Sequence, residues 1–324
     1  MSSFPVAVPA AGLTTPDVVP PELATKRVLP RRHVFRWLST TVIVLLLASL
    51  VLDIAGNANY QWGDFGGFFT RPAILDGLRL TLELTLYSAV LGFLFGTVLA
   101  LARLSRNPLF NGLAWLYIWF FRSLPITVLF IIIYNLSQFF PTLALKLPLL
   151  PALFSHETPL LLAPMVAGVA GLAINEAAYA AELIRGGILS VDQGQVEAAN
   201  ALGLSPWRRL RRVVLPQALR SIVPGYVNQL IGLVKMSSLV YFVSLQDLFG
   251  VVNIIKARLP GDIIPILLAG SAWYLVIAAV LSVVQYYVER YFARGAVRTL
   301  PPTPFQRLRG ALAAGRLRLK EARA

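Results

Sequence analysis

Six long apolar stretches constrain this chain more than any other feature of its sequence. They lie at residues 34–52, 77–102, 113–139, 159–183, 222–245 and 263–288. A helix of about 20 mostly apolar residues is long enough to cross a bilayer. Inside a bilayer, only helices and closed barrels pair all of their backbone N–H and C=O groups. The stretches therefore predict an all-α polytopic membrane protein with about six transmembrane helices.

Composition excludes several other classes. Hydrophobic residues make up 57% of the chain and charged residues 14%, whereas about 25% of residues are charged in a typical soluble domain. The sequence has no cysteine, and His33 and His156 are far apart, so neither a thiolate nor a histidine-rich metal site is expected. It also has no Gly-x-x-x-x-Gly-Lys-Ser/Thr phosphate loop and no catalytic cluster. We therefore expect no enzyme activity, no cofactor and no metal.

The basic residues indicate the orientation. The net charge is +14, and lysines and arginines cluster at residues 26–36, 208–212 and 290–323, outside the apolar stretches. Cytoplasmic loops are enriched in Lys and Arg. With six spans, Arg103, Arg106 and the arginines of 185–220 fall inside, and a mixed set of charges that includes Asp247 falls outside. This pattern places both termini in the cytoplasm and accounts for the basic charge without nucleic-acid binding.

The same pattern divides the chain into four regions. Residues 1–30 are predicted to be a disordered cytoplasmic tail, because they lack periodicity and are rich in Pro, Ala, Val and Thr. Residues 31–72 hold the first span, expected to be an uncleaved anchor, and an external loop. Residues 73–292 hold the other five spans. Residues 293–324 form a basic cytoplasmic tail, whose Leu, Ala and Arg alternation fits either an amphipathic helix on lipid or a solvated segment.

A polar stretch at residues 190–216, the coupling loop hereafter, is predicted to form a helix, a turn and a second helix on the cytoplasmic side. Helix formers dominate residues 195–202, and Gly203 is suited to end that helix. Ser205 and Pro206 are typical of a new helix start, with Ser as the cap and Pro at the first helical position.

The spacing within this loop resembles the EAA loop of permeases of ATP-binding-cassette (ABC) importers. Glu197-Ala198-Ala199 is followed by Gly203, six positions after the Glu, and by Leu215-Pro216, with Val213 where the family has Ile. That resemblance implies a contact with a separate ATPase, made by Glu197, Ala198, Ala199, Gly203, Leu204 and Pro216. A short helix with small residues permits close approach to such a partner, and Glu197 offers a charge for it.

Other segments narrow the resemblance. Residues 78–105, 118–134, 175–195 and 235–248 are similar to type I importer permeases for polar amino acids. The resemblance implies a five-span core with one extra N-terminal span, in a bacterial inner membrane. It also implies two ABC ATPase subunits, a second permease that is identical or homologous, an external solute-binding protein, and alternating access that moves an amino-acid substrate.

Polar groups inside the predicted spans are candidates for the substrate pathway, because a charge at mid-bilayer costs at least about 2.5–3.5 kcal/mol. The candidates are Glu83, Arg122, Asn175, Glu176, Tyr179, Lys235, Ser237 and Ser238. Arg122 or Lys235 suits a substrate carboxylate, and Glu83 or Glu176 suits an ammonium group. Packing or gating roles stay open for all of them. The tryptophans are expected to be interface anchors: Trp115, Trp119, Trp207 and Trp273.

Alternative cargoes and classes stay open at this level. A permease of the same kind for an opine, a short peptide or another small metabolite fits the same motifs. An ion-coupled secondary carrier predicts broken helices in corresponding halves and no EAA loop. A membrane enzyme needs a polar catalytic cluster, which the sequence does not offer.

Overall fold

The computed structural model describes residues 34–145, 154–158 and 163–293. The predicted tails, 1–30 and 293–324, lie outside this part of the chain apart from Ala293. The described residues divide between two units, residues 1–57 and residues 58–324. In the first unit, helix α1 spans Val34–Gly56, and nearly all of its side chains are exposed. An apolar helix exposed on all sides is suited to lipid rather than water.

The second unit is a helical bundle with one pair of short strands. Its first half comprises α2 (Trp62–Phe69), α3 (Pro72–Arg103), α4 (Pro108–Ser123), α5 (Ile126–Tyr134), α6 (Leu136–Phe139), β1 (Thr142–Leu145) and β2 (Phe154–Glu157). Its second half comprises α7 (Pro164–Leu189), α8 (Gln193–Ala201), α9 (Pro206–Arg209), a π-helical turn (Leu210–Val214), α10 (Leu215–Ser237), a 3-10 segment (Ser238–Val243), α11 (Leu248–Arg258) and α12 (Ile263–Phe292).

The strand pair departs from the all-α prediction. β1 and β2 are antiparallel, with Thr142 opposite Glu157 and Leu145 opposite Phe154. Each strand has four residues, which is too short for alternation of polar and apolar residues to reveal it.

Small residues bring α3 and α7 into close contact at the centre of the bundle. A Cβ added at Gly96 would lie 2.7 Å from Cβ of Ala180 and 2.9 Å from the carbonyl oxygen of Ala177. A Cβ added at Gly92 would lie 2.6 Å from Cγ of Glu176. Helices in membranes pack closely where glycine and alanine permit it. The two backbones meet along α3 and α7 for this reason.

The third predicted span, residues 113–139, is not a continuous helix. α4 ends at Ser123, α5 begins at Ile126, and the two axes are bent by 99°. Leu124 is extended (φ −80°, ψ 126°), as the residue before a proline tends to be, and Pro125 precedes the first residue of α5. The interruption lies at Pro125, a residue that tends to break or start helices, and the span prediction for 113–139 did not include the size of the bend.

The described residues contain four helices that are long and apolar enough to cross a membrane. These are Phe35–Gly56, Pro72–Arg103, Pro206–Val243 and Ile263–Phe292, and the bent α4–α5 pair counts as a fifth if it forms one span. The protein is therefore a polytopic helical membrane protein. Helix α7 overlaps the predicted span 159–183 but is outside this set. It carries Asn175, Glu176 and Glu182 among small residues and is mostly buried within the bundle.

Candidate functional site

The coupling loop has the predicted helix–turn–helix form. Asp192 caps α8, where its Oδ1 accepts a hydrogen bond from the N–H of Gln195 at 3.3 Å. At the other end, Gly203 has a φ of +69°. Its N–H donates to the carbonyl of Asn200 at 2.9 Å, and the N–H of Leu204 donates to the carbonyl of Ala199 at 3.1 Å. Glycine adopts this left-handed conformation without strain, so it ends the helix sharply.

The second helix of the loop begins as predicted, with a difference at its cap. Pro206 is the first residue of α9, but the Ser205 side chain makes no capping hydrogen bond. Instead, the carbonyl of Ser205 accepts from the N–H of Arg209 at 2.9 Å. The chain then runs through the π-helical turn directly into α10, with Pro216 in its first turn. Because proline has no N–H to donate, one backbone hydrogen bond of the helix is missing here, but the helix is not broken.

One face of the coupling loop is open to solvent. Glu197 and Ala198 are exposed, and the side chain of Leu202 is 81% exposed. Ala199 is only 3% exposed, and its helix contacts α9 and the π-helical turn. A hydrogen bond from the guanidinium of Arg209 to the Asn200 side chain ties α9 to α8. The two helices of the loop are therefore joined to each other, and one face of α8 is exposed.

Two of the pathway candidates meet in one cavity. The guanidinium of Arg122, on α4, lies over the ring of Tyr179, on α7, with Cζ 5.2 Å from the ring centroid. Both line a cavity of about 410 Å³ near the end of the bundle that leads into the coupling loop. Arg185 and Glu182 line the same cavity and form an ion pair at 2.8 Å. This grouping of charges depends on the packing of α3, α4 and α7.

Two other candidates are buried between helices. Asn175 donates from Nδ2 to the carbonyl of Phe121 at 3.2 Å and so links α7 to α4. Glu176 is 0% exposed and lies beside Tyr226 and Gln229 of α10. Among the described residues, neither carboxyl oxygen of Glu176 nor Nε2 of Gln229 has a partner in hydrogen-bond geometry. Two complementary polar groups thus face each other without a closed hydrogen bond.

The remaining four candidates lie apart from both places. Glu83 pairs with Arg79 one helical turn away at 2.8 Å. Lys235 is exposed in the last turn of α10. The two serine hydroxyls are used locally: Ser237 donates to the carbonyl of Val234 at 2.7 Å, and Ser238 donates to that of Lys235 at 2.8 Å. The eight candidates therefore do not form one site.

The structure buries Asp247, which the charge pattern did not indicate. The pattern assigned this residue to the outer side of the membrane, and in the structure it is fully buried at the start of α11. Its Oδ1 accepts from the N–H of Gly250 at 3.0 Å, and its Oδ2 accepts from Thr81 at 3.3 Å and from Tyr274 at 3.2 Å. An Asp before an apolar run is a helix-cap signal that could have indicated this. Asp247 joins α3, α11 and α12.

Residues 92–294 match the protein family described as binding-protein-dependent transport system inner membrane component. The match covers more than half of the chain. The chain belongs to this family. It is therefore a multi-pass permease of the inner membrane, and in this family the ATPase is a separate subunit.

Individual relatives of this permease agree with the family assignment. The arginine transport system permease protein of Corynebacterium glutamicum is 38% identical over 272 residues, which cover 84% of each chain. The octopine transport system permease protein of Rhizobium radiobacter is 40% identical over 183 residues, covering 56% of this chain and 71% of the relative. A crystal structure of an amino acid ABC transporter with histidines has a TM-score of 0.58 and 32% identity, covering 68% of this chain and 94% of that one.

Proposed function

We propose that this permease carries a polar amino acid into the cell by alternating access, driven by two ATPase subunits that dock on the coupling loop. The exposed face of α8, with the sharp turn at Gly203, carries this proposal. The cargo is supported by similarity to the arginine permease and to the amino acid transporter. A second permease subunit and an external solute-binding protein complete the assembly that we propose.

The loop suits the transmission of force. Glu197, Ala198 and Leu202 present a small charged and apolar surface that fits a groove on an ATPase. Ala199 and Leu204 are more buried, so we assign them to holding α8 against α9 and the π-helical turn. Because α9 continues into α10 through the π-helical turn, displacement of α8 is passed to a long helix of the membrane region.

We further propose six spans, with both termini in the cytoplasm. Helix α7 has 26 residues, which is about 39 Å at 1.5 Å per residue and enough to cross a bilayer. With α7 and the bent α4–α5 pair counted as spans, the coupling loop, Arg103 and Arg106 share one side. That side is the one that the excess of basic residues places in the cytoplasm.

For the pathway, we propose Glu176 as the acceptor for the substrate ammonium group. An unpaired carboxyl in the membrane region is costly, and ionisable residues at such positions usually mark a substrate or ion pathway. Glu176 is closed off by Tyr226 and Gln229 of α10, so movement of α10 away from α7 would open it. Glu176→Gln should weaken substrate affinity about tenfold in reconstituted transport, the scale of a lost hydrogen bond to a charged group.

The matched substitution Glu83→Gln serves as the control for this assignment. Glu83 already pairs with Arg79, so we expect that change to leave affinity unaltered. A loss of affinity in Glu83→Gln, with normal affinity in Glu176→Gln, would transfer the ammonium role to Glu83.

The function as a whole is tested by uptake into proteoliposomes that contain the permease and its co-purified ATPase. Uptake of arginine should stop on ATP depletion and continue after proton and sodium gradients are collapsed. The opposite dependence would identify an ion-coupled carrier. Octopine is the second cargo to test, since the octopine permease is 40% identical over the matched region. If octopine inhibited arginine uptake more strongly than unlabelled arginine does, the substrate would be assigned to the opines instead.

A further inference from the structure

A cationic groove runs along α4 at the end of the bundle that leads into the coupling loop. It consists of the 410 Å³ cavity already described and an adjoining cavity of about 540 Å³. The two share Arg103, the last residue of α3, and Trp115 of α4. Arg106 lines the second cavity, and Arg122 lines the first. The groove therefore collects arginines from two helices and the loop between them.

The positive charge in this groove is not balanced by the carboxylates around it. Glu182, which lines the first cavity, pairs with Arg185 and is also attracted by Arg103 and Arg122, so one carboxylate faces three arginines there. Among the described residues, Arg103 and Arg122 form no ion pair. One arm of the Arg103 guanidinium donates to the Asn111 side chain, while its Nε is buried and has no partner. A buried charged donor without a partner is costly, so the groove is suited to an anion.

The rim of the groove is aromatic and apolar. Trp115 and Trp119 are 52% and 54% exposed, and their rings stack with centroids 6.2 Å apart. Leu116 and Phe120 are also half-exposed on α4. Tryptophan is enriched where hydrocarbon meets headgroups. A free anion would use only the arginines, whereas a phospholipid would use both the arginines and this apolar rim.

We propose that the groove binds the phosphate headgroup of an anionic phospholipid of the cytoplasmic leaflet. The leaflet follows from the orientation given under Proposed function, and the binding itself does not depend on the cargo. Arg103 and Arg122 hold the phosphate, and Trp115 and Trp119 lie against the upper part of the acyl chains. Basic pockets between helices on the cytoplasmic side are suited to such headgroups.

Tryptophan quenching in nanodiscs tests the proposal on the full permease–ATPase complex. Brominated phosphatidylglycerol is compared with brominated phosphatidylcholine at equal total lipid. Quenching that disappears in the Trp115→Phe and Trp119→Phe double variant is assigned to lipid bound in the groove. We expect brominated phosphatidylglycerol to quench these two tryptophans more strongly than brominated phosphatidylcholine does. Removing each arginine should lower the preference about fivefold, since one basic side chain near an anionic surface contributes about that factor.

The test variant is Arg103→Gln combined with Arg122→Gln. Its matched control is Arg71→Gln combined with Arg258→Gln, which removes the same charge from a cavity of about 380 Å³ that has no tryptophan in its lining. The control should keep the preference. Arg106→Gln, at an exposed position, gives a milder change if the double variant does not fold, and it should lower the preference without loss of the complex.

Equal quenching by the two lipids, or an unchanged preference in both arginine variants, would overturn the proposal. Loss of the preference on addition of inorganic phosphate or arginine would also overturn it, since the groove would then bind a soluble anion or the substrate. Uptake is measured on the same complex. Failed uptake with an intact lipid preference contradicts the proposed function alone, and normal uptake without the preference contradicts this inference alone.

Discussion

Two regions of the permease use glycine for different physical reasons. In the coupling loop, Gly203 has a φ of +69°, and a Cβ placed on it meets nothing within 4 Å. In the α3–α7 contact, Gly96 is an ordinary helical residue, but a Cβ placed on it would lie 2.7 Å from Ala180. The backbone requires glycine at the first position, and the neighbouring helix requires it at the second.

This difference separates an exposed interaction surface from a packed interior. Around Gly203, side chains are exposed and an added side chain would meet no neighbouring atoms. Substitutions there are therefore expected to affect partner binding more than folding. Around Gly96, the two helices leave no room, so the same substitutions are expected to affect folding itself. Each prediction below compares the two regions, or a residue with its matched control.

The largest effect is expected for Gly96→Val. Its added atoms meet Cβ of Ala180 and the carbonyl oxygen of Ala177, which belong to a rigid helix. Overpacking of this kind costs about 1–3 kcal/mol or more. The control is Gly232→Val on α10, where a Cβ meets nothing within 4 Å. The thermal midpoint of the purified complex should fall strongly for Gly96→Val and little for Gly232→Val. Similar midpoints would contradict the close α3–α7 contact.

Gly203→Val should uncouple transport while the permease stays folded. A β-branched residue in the left-handed region costs about 1–2 kcal/mol, which displaces the turn rather than the bundle. Gly203→Asn is the control, because Asn tolerates this conformation better than Val. We expect uptake and stimulated ATP hydrolysis to fall about tenfold for Val, consistent with that cost, and much less for Asn. Equal losses in both variants would assign the effect to side-chain volume instead of backbone conformation.

The sequence predicted local features well where they depend on neighbouring residues. Gly203 and Pro206 defined the turn and the second helix of the coupling loop, because each residue restricts its own backbone. The apolar stretches predicted the long helices for the same kind of reason. Pro125 indicated an interruption, but the 99° bend that follows it depends on the packing of α5 against the rest of the bundle.

Features that join distant segments were not predictable in this way. The charge pattern assigned Asp247 to the outer side, but it did not indicate that Asp247 is buried or that Thr81 and Tyr274, from two other helices, donate hydrogen bonds to it. Arg122 and Tyr179 were separate candidates until the packing of α4 on α7 brought them together. No local sequence pattern specifies such pairs. The sequence therefore provided a set of separate polar residues as pathway candidates and did not show which of them lie together.

Thr81→Val tests one of these distant connections and should have a moderate effect. The Thr81 hydroxyl donates to Asp247 and accepts from the N–H of Leu248 at 3.0 Å. Removing it takes the hydroxyl partner from the buried N–H of Leu248 and one of three hydrogen bonds from Asp247, at a cost of about 1–3 kcal/mol. Thr97→Val is the control on the same helix, because within the described part of the chain its hydroxyl bonds only to the Phe93 carbonyl one turn away. A denaturation experiment should show lower stability for Thr81→Val than for Thr97→Val. Equal stability of the two variants would mean that the hydrogen bonds of Asp247 do not stabilise the fold.

The smallest effect on folding, and the most specific effect on coupling, is expected for Leu202→Ala. Leu202 is 81% exposed in the permease alone, so its truncation should change stability by less than about 0.5 kcal/mol. If α8 sits in a groove of the ATPase, the same truncation removes apolar contact area there and should weaken ATPase binding about fivefold, a typical loss of about 1 kcal/mol for an interface residue. Leu275→Ala on α12, where the side chain is 70% exposed, is the control, and it should leave binding unchanged.

Titration of the ATPase into the solubilised permease measures the binding affinity of the two variants and distinguishes them. A normal affinity for Leu202→Ala would mean that the partner contacts another face of the loop, and the proposed docking would then rest on Glu197 and Ala198 alone.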